Sequence, residues 1–149
     1  MAKTQKPPTK VPTKDAQTAP YLSVIVPLLD EEESLGELYA QILAATKPLA
    51  KPIEMIFVDD GSTDKSFSIL AELHTKDPRV KVIRFRRNFG KSAALSVGFR
   101  EARGEYVVTM DADLQDDPAE IPSLIEMLQQ GYDLVSGWKQ KRHDPISKT

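Results

Sequence analysis

With 149 residues, 40% of them hydrophobic and 28% charged, the chain has the composition of one ordinary soluble domain. Its net charge of −2 gives no argument for a nucleic-acid partner, and the absence of Cys excludes disulfides and thiolate metal sites. No apolar run approaches the ~20 residues of a membrane span, so the sequence predicts a cytoplasmic protein without a transmembrane segment.

The first 20 residues differ from the rest of the chain. They contain four Pro, four Lys and several Thr, and almost no side chain that could be buried. This composition predicts a disordered tail over residues 1–20. Its four lysines would contribute little to membrane binding on their own.

An alternation of strands and helices begins at Tyr21. Residues 22–26 form a short apolar run typical of a buried strand, which Pro27 is predicted to end. Apolar side chains then recur at spacings of three and four from Leu35 to Leu43, as on one face of a helix. Pro48 is predicted to end that helix.

The same alternation repeats along the rest of the chain. Further strands are predicted over residues 53–58, 80–85, 106–110 and 132–138. Further helices are predicted around Phe67–Leu73, after Gly90 and around Ile121–Leu128. The helix after Gly90 is rich in small residues, which suits close packing on a sheet. The pattern predicts an α/β fold with a doubly wound, mostly parallel sheet and helices on both faces.

The predicted strand over residues 106–110 leads directly into a group of carboxylates. If the chain stays extended, Asp111 and Asp113 point to the same side and could bind one cation, which Gln115 could join. Asp116 is interpreted as a surface charge, and Asp117 as the cap of a helix that Pro118 begins. The alternative is that the whole group is a solvated acidic loop.

Acidic residues follow three of the predicted strands, at residues 30–33, 59–60 and 111–113. Parallel strands place their carboxyl ends at one edge of the sheet, where open α/β sheets bind ligands. Such a cluster repels itself unless cations or hydrogen-bond donors enter it. A divalent metal that bridges to a phosphorylated ligand is the usual solution.

The segment from Pro78 to Arg100 contains no Asp or Glu but seven basic residues. We expect it to place positive charge beside the acidic edge, although a solvated strand edge is an equally good explanation. Gly90-Lys91-Ser92 is not a phosphate-binding P-loop, because that motif needs Gly at position 85, which is Phe. There is also no GxGxxG motif for a dinucleotide.

Four motifs now occur in a recognisable order: Ser23-Val24-Ile25-Val26-Pro27, Val58-Asp59-Asp60-Gly61-Ser62-Thr63-Asp64, Arg87-Asn88-Phe89-Gly90-Lys91 and Asp111-Ala112-Asp113-Leu114-Gln115-Asp116. Together they resemble the family-two glycosyltransferases of GT-A fold, and most closely the polyprenyl-phosphate glycosyltransferase branch. The resemblance implies transfer of a hexose from a UDP-glucose- or GDP-mannose-type donor to a polyprenyl phosphate, with inversion. It also implies Mg²⁺ or Mn²⁺ as cofactor and a site at the cytoplasmic face of a membrane.

The resemblance also implies roles for matching residues. Asp111 and Asp113 would be the catalytic metal-binding pair, assisted at the metal by Gln115. The implied nucleotide-sugar contacts are Pro27, Leu29, Glu31, Val58, Asp60, Ala112 and Lys139. Lys139 stands where relatives commonly carry an Arg that contacts phosphate, and Lys is less suited to a bidentate contact.

Two departures from the family pattern affect these expectations. Leu29-Asp30 replaces the usual Tyr-Asn, so an aromatic contact to the base is expected to be lost. The chain ends at Thr149, so residues 21–149 are expected to form the donor-binding domain without its acceptor-side part. The alternative is a fragment that binds metal and nucleotide sugar without turnover. A response-regulator-like phosphoacceptor fits poorly, because that fold places its paired acids after the first strand.

Overall fold

A computed structural model describes residues 19–131. The first 18 residues of the predicted tail, the predicted fifth strand at 132–138 and Lys139 lie outside the described residues. The strands are β1 (Leu22–Leu28), β2 (Ile53–Asp59), β3 (Val80–Arg84) and β4 (Tyr106–Thr109). The helices are α1 (Leu35–Thr46), α2 (Ser66–Lys76), α3 (Lys91–Glu101) and α4 (Ile121–Gln129), with 3₁₀ turns at Lys47–Leu49 and Pro118–Glu120.

The four strands form one parallel sheet in the order β3-β2-β1-β4. The chain moves outward from β1 to β3 and then returns to the other side of β1 for β4. This reversal between β1 and β4 is the topological switch point at which open α/β sheets bind ligands. The predicted α/β fold with a parallel sheet is confirmed.

The prediction that Pro27 ends the first strand is wrong. β1 continues to Leu28, and Pro27 pairs with Val58 of β2. The pairing with β4 stops earlier, at Ile25 opposite Thr109. Pro27 therefore lies beyond the end of the β4 ladder, where its missing N–H removes no strand hydrogen bond on that side. The end of β1 can instead form a wall of the crevice at the topological switch point.

Helices cover both faces of the sheet, as predicted. One face carries the main core, in which α1, α2 and α4 pack their apolar side chains against alternating residues of β1 and β2. The other face is covered by α3, whose buried Ala94 contacts Ile56 and Val58. Gly98 lets this helix approach closely, because a Cβ there would lie 2.5 Å from Ile25 Cγ2. None of the described helices is both long enough and apolar enough to span a membrane.

Part of the basic segment lies at the opposite edge from the predicted site, which corrects that expectation. Arg79 precedes β3, and its guanidinium donates two hydrogen bonds to the carboxylate of Asp77 at 2.9 Å. These bonds oppose the effect of burial and lower the pKa of Asp77 to about 2. Lys81 donates to Glu54 at 2.9 Å. Both basic residues neutralise buried carboxylates near the amino ends of the strands.

Candidate functional site

A cavity of about 370 Å³ opens at the carboxyl edge of the sheet, between the ends of β1 and β4. It therefore lies at the topological switch point of the fold. Its walls come from the end of β1, the start of the loop after β2, the loop between β3 and α3, and the turn after β4. The lining residues are Pro27, Leu28, Leu29, Glu31, Asp60, Asn88, Gly90, Lys91, Ala94, Asp111, Ala112 and Asp113.

The carboxylates of Asp111 and Asp113 both face this cavity, but the chain between them does not stay extended. Residues 112–114 form a turn in which Leu114 has a φ of 68°. Asp113 Oδ1 accepts a hydrogen bond from the backbone N–H of Gln115 at 3.1 Å. The extended path on which a role for Gln115 depends is therefore not formed, and Gln115 is not among the residues that line the cavity. We call residues 111–114 the Asp-Ala-Asp turn.

Asp116 is hydrogen-bonded to this turn and is not the surface charge that the sequence predicts. It is 2% exposed, and its Oδ2 accepts a hydrogen bond from the N–H of Asp111 at 2.8 Å. A hydrogen bond from a backbone N–H offsets part of the free-energy cost of burying a carboxylate in this way. Asp117 caps the 3₁₀ turn that begins at Pro118, as predicted, and accepts from the N–H of Ala119.

The loop after β1 is fastened to the loop after β2. Asp30 has a φ of 54°, donates its N–H to Ser62 Oγ at 2.8 Å and accepts from the N–H of Thr63 at 2.8 Å. The N–H of Glu31 donates to Ser66 Oγ at 2.9 Å. Asp30 therefore connects the loop after β1 to the loop after β2, whereas the neighbouring Glu31 lines the cavity.

A third contact ties the start of α1 to the Asp-Ala-Asp turn. The hydroxyl of Ser34 donates to the carbonyl oxygen of Ala112 at 2.6 Å, and it lies 3.3 Å from Glu31 Oε1. A hydroxyl has one proton, so the shorter bond to Ala112 is the principal one. This bond fixes Ala112 in the wall of the cavity across 78 residues of sequence.

Acidic side chains around the cavity influence one another. Burial raises the pKa of Glu31, and the nearby charges of Asp113, Asp64 and Asp111 raise it further against the opposing effect of Ser34. The carboxylates are thus close enough for mutual repulsion. A cation that entered the cavity would relieve this repulsion.

Asp60 lines the cavity but already uses both carboxylate oxygens. Oδ1 accepts from the N–H of Phe89 at 2.7 Å, and Oδ2 accepts from the N–H of Gly90 at 3.0 Å. We call residues 85–90 the β3–α3 loop. The loop also approaches Gly61 so closely that a Cβ there would lie 2.5 Å from the carbonyl carbon of Arg87. The hydrogen bonds to Asp60 hold this loop against the end of β2, and the absence of a side chain at Gly61 allows the close contact.

The β3–α3 loop leads to a residue of the basic segment that does lie beside the acidic edge, as expected. Lys91 is the first residue of α3, and its Nζ donates to Asp111 Oδ1 at 2.6 Å. Asn88, Gly90 and Lys91 all line the cavity. A signal for them was present in the sequence, since the motif at residues 87–91 is basic and ends at a helix start.

The other predicted site residues occupy different places. Val58 is fully buried beside Ile56 and Ala94, beneath the cavity rather than in its lining. Lys139 lies outside the described residues. Pro27, Leu29, Glu31, Asp60 and Ala112 come together in the lining as the prediction requires. Their individual contacts with a ligand stay predictions.

The donor set at the Asp-Ala-Asp turn fits a divalent cation that shares its coordination with a ligand. Within residues 19–131, no group of three or more His, Cys, Asp or Glu side chains is arranged to hold a metal ion. Mg²⁺ is commonly bound by one or two carboxylates together with substrate phosphates. Asp111 and Asp113 can supply such a pair, and a bound diphosphate would supply further oxygens.

The strand order and the cavity at the switch point are those of α/β domains that bind nucleotides. More specifically, the chain belongs to Glycosyl transferase family 2, whose model matches residues 23–147.

Two relatives of the chain share one description. The chain is 41% identical over 131 residues to an undecaprenyl-phosphate 4-deoxy-4-formamido-L-arabinose transferase of Edwardsiella ictaluri, covering 87% of the chain and 40% of the relative. It is 44% identical over 127 residues to the transferase of the same name from Pectobacterium carotovorum, covering 84% of the chain and 38% of the relative. The chain thus spans about 40% of the length of these relatives.

Solved structures of the same architecture include the protein TarS of S. aureus. Residues 1–349 of TarS superpose with a TM-score of 0.61 at 26% identity, covering 73% of this chain and 32% of that one. The complex of TarS with UDP gives the same values. The GT-A-like α/β fold expected from the sequence is confirmed.

Proposed function

We propose that this chain binds the nucleotide-sugar donor in an enzyme that transfers a sugar to a polyprenyl phosphate. The observation that carries the proposal is the cavity at the switch point, which Asp111 and Asp113 line together with Glu31 and Asp60. Two comparisons support it. The named relatives are transferases for undecaprenyl phosphate, and TarS has a complex with UDP.

The lining of the cavity separates into an apolar part and a charged part. Pro27, Leu29 and Ala112 offer apolar surface for a nucleoside, while Asp111 and Asp113 lie where a diphosphate and its counter-ion would meet. A divalent cation held by this pair, Mg²⁺ or Mn²⁺, would neutralise negative charge on the diphosphate as the bond to the sugar breaks. The two carboxylates are the residues that we propose to be catalytic.

The proposed reaction is a single displacement at the anomeric carbon of the sugar. An oxygen of the acceptor phosphate forms the new bond to that carbon, and the nucleoside diphosphate leaves with the electron pair of the broken bond. Attack from the opposite side inverts the configuration. Because a phosphate monoester is already anionic near pH 7, the reaction does not depend on a strong general base. Alignment and stabilisation of the leaving group supply most of the rate.

The identity of the transferred sugar needs its own test. The sequence predicts a hexose, whereas the named relatives transfer an arabinose derivative. We propose only that the donor carries a nucleoside diphosphate. The acceptor is a lipid, so the reaction takes place at a membrane surface, which we propose to be the cytoplasmic face.

Calorimetry tests donor binding. We expect UDP or GDP to bind to the chain more tightly with Mn²⁺ than without it, and Asp113→Asn to remove this metal dependence. Glu72→Gln, at an exposed position on α2, is the matched control and should bind as the wild type does. If neither nucleotide binds, or if Asp113→Asn keeps the metal dependence, the donor-site proposal is wrong.

Transfer of a radiolabelled sugar to a polyprenyl phosphate distinguishes an enzyme from a binding module. Product formation by the 149-residue chain supports catalysis by this part alone. Nucleotide binding without product supports the alternative, in which this part binds donor and metal but does not complete the reaction.

A further inference from the structure

Lys91 carries the only positive charge among the described residues that line the cavity, beside four carboxylates. Its Nζ lies 2.6 Å from Asp111 Oδ1, on the carboxylate pair that the proposed function gives to a divalent cation. The ammonium group therefore neutralises part of the acidic cluster. It does so at an oxygen that a divalent cation would also need.

The main chain of Lys91 is held by the preceding loop, while its side chain is half-exposed. The preceding Gly90 has a φ of 106°, and its N–H is held by Asp60 at 3.0 Å. The side chain of Lys91 is 55% exposed and that of Asp111 is 27% exposed. A lysine has a flexible four-carbon stem, so its ammonium can change partner without movement of the backbone.

The surroundings of Lys91 suit an anion once the ammonium leaves Asp111. Lys91 begins an 11-residue helix whose first turn contains no acidic residue. The N-terminus of a helix favours negative charge. Asn88 and Gly90, just before it, also line the cavity. A diphosphate in the same cavity would thus offer a displaced ammonium a new anionic partner.

We propose that Lys91 exchanges partners during donor binding, and this inference rests on the proposed function. Without donor, its ammonium neutralises Asp111. When donor and divalent cation bind together, the cation takes the carboxylate oxygen and Lys91 binds a phosphate oxygen of the nucleoside diphosphate. Lys91 is then both a competitor of the cation and a binding residue for the donor.

The exchange predicts effects of opposite sign for Lys91→Gln. Binding of Mn²⁺ alone should tighten by up to about fivefold, because a half-exposed ion pair no longer competes. Binding of UDP in saturating Mn²⁺ should weaken by about tenfold, because a charge-assisted hydrogen bond is lost. The first affinity is measured by electron paramagnetic resonance of free Mn²⁺ and the second by calorimetry, both on the 149-residue chain.

Two further variants control this experiment. Arg100→Gln removes the same charge from an exposed position on the same helix and should leave both affinities unchanged. Lys91→Arg keeps the charge and should restore most of the UDP affinity. Circular dichroism confirms that each variant is folded.

The two affinities distinguish the possible outcomes. If they fall together, if only one changes, or if Arg100→Gln reproduces the effect, the exchange is refuted. A wild-type chain that does not bind UDP refutes the proposed function, and the exchange with it. A wild-type chain that binds UDP, with no opposite response in Lys91→Gln, refutes the exchange alone.

Discussion

Replacing Asp60 with Asn tests whether this carboxylate holds the β3–α3 loop in the free protein. Asp60 is 5% exposed and accepts hydrogen bonds from two backbone N–H groups, those of Phe89 at 2.7 Å and Gly90 at 3.0 Å. Asn keeps one acceptor oxygen, loses the charge and turns an NH₂ group toward one of these donors. A hydrogen bond to a charged group contributes about 1.5–3 kcal/mol, so we expect Asp60→Asn to lower the free energy of unfolding by about 2–3 kcal/mol.

The assay is urea unfolding followed by circular dichroism, without nucleotide or metal. For a domain of this size, the loss corresponds to a fall of about 1 M in the urea midpoint. Glu72→Gln breaks an exposed pair with Lys76 and should change the stability by less than about 0.5 kcal/mol. A residue that only bound the base or ribose would leave unfolding unchanged. An Asp60→Asn midpoint equal to that of the wild type would therefore refute the reasoning.

Three further predictions use the same unfolding assay. Gly61→Ala should lower the free energy of unfolding by at least about 2 kcal/mol, because φ is 87° and the new Cβ would clash with the backbone of Arg87. An unchanged urea midpoint would contradict this. Ser34→Ala should cost about 1 kcal/mol and weaken UDP binding, since the bond to Ala112 is lost; full UDP affinity in calorimetry would argue against that role. The pKa of Asp77 is lowered to about 2 in the folded protein. The ionised side chain therefore contributes about 2 kcal/mol to the free energy of unfolding above pH 4, and this contribution falls by about half by pH 3. The wild type should lose this contribution between pH 5 and pH 3, whereas Asp77→Asn should not. Equal losses of stability in the two proteins would contradict the assignment of the pH dependence to Asp77.

The sequence predicted the fold because its signals are local. Apolar runs and helical spacings identify the elements within a window of about 10–18 residues. The short connections and the handedness of parallel crossovers then restrict how these elements can form a sheet. Asp60, Asp111 and Asp113 lie at one edge of the sheet for that reason. The order of the strands predicts this position without knowledge of any contact between the side chains.

The parts that the sequence did not predict depend on contacts between distant segments. Asp116 was interpreted as exposed because nothing in its neighbourhood shows that the turn will fold over it. Arg79 and Lys91 belong to the same acid-free segment, yet they lie at opposite edges of the sheet. A charge pattern in sequence does not show this, since the strand between two residues carries them apart. Pro27 likewise continues its strand because β4 is shorter than β1.

The acidic edge now separates into two groups with different physical roles. Asp30 and Asp60 accept hydrogen bonds from backbone N–H groups of other loops, and Asp116 accepts one from the backbone of its own loop, which compensates their charge and fixes the walls of the cavity. Asp111 is compensated by the half-exposed ammonium of Lys91, and the pKa of Glu31 is raised first by burial and further by the charges of Asp113 and Asp111. Backbone donors cannot leave without unfolding a loop, whereas an ammonium on a flexible stem can. Asp111 is therefore the carboxylate from which an incoming cation can displace the present partner without unfolding a loop.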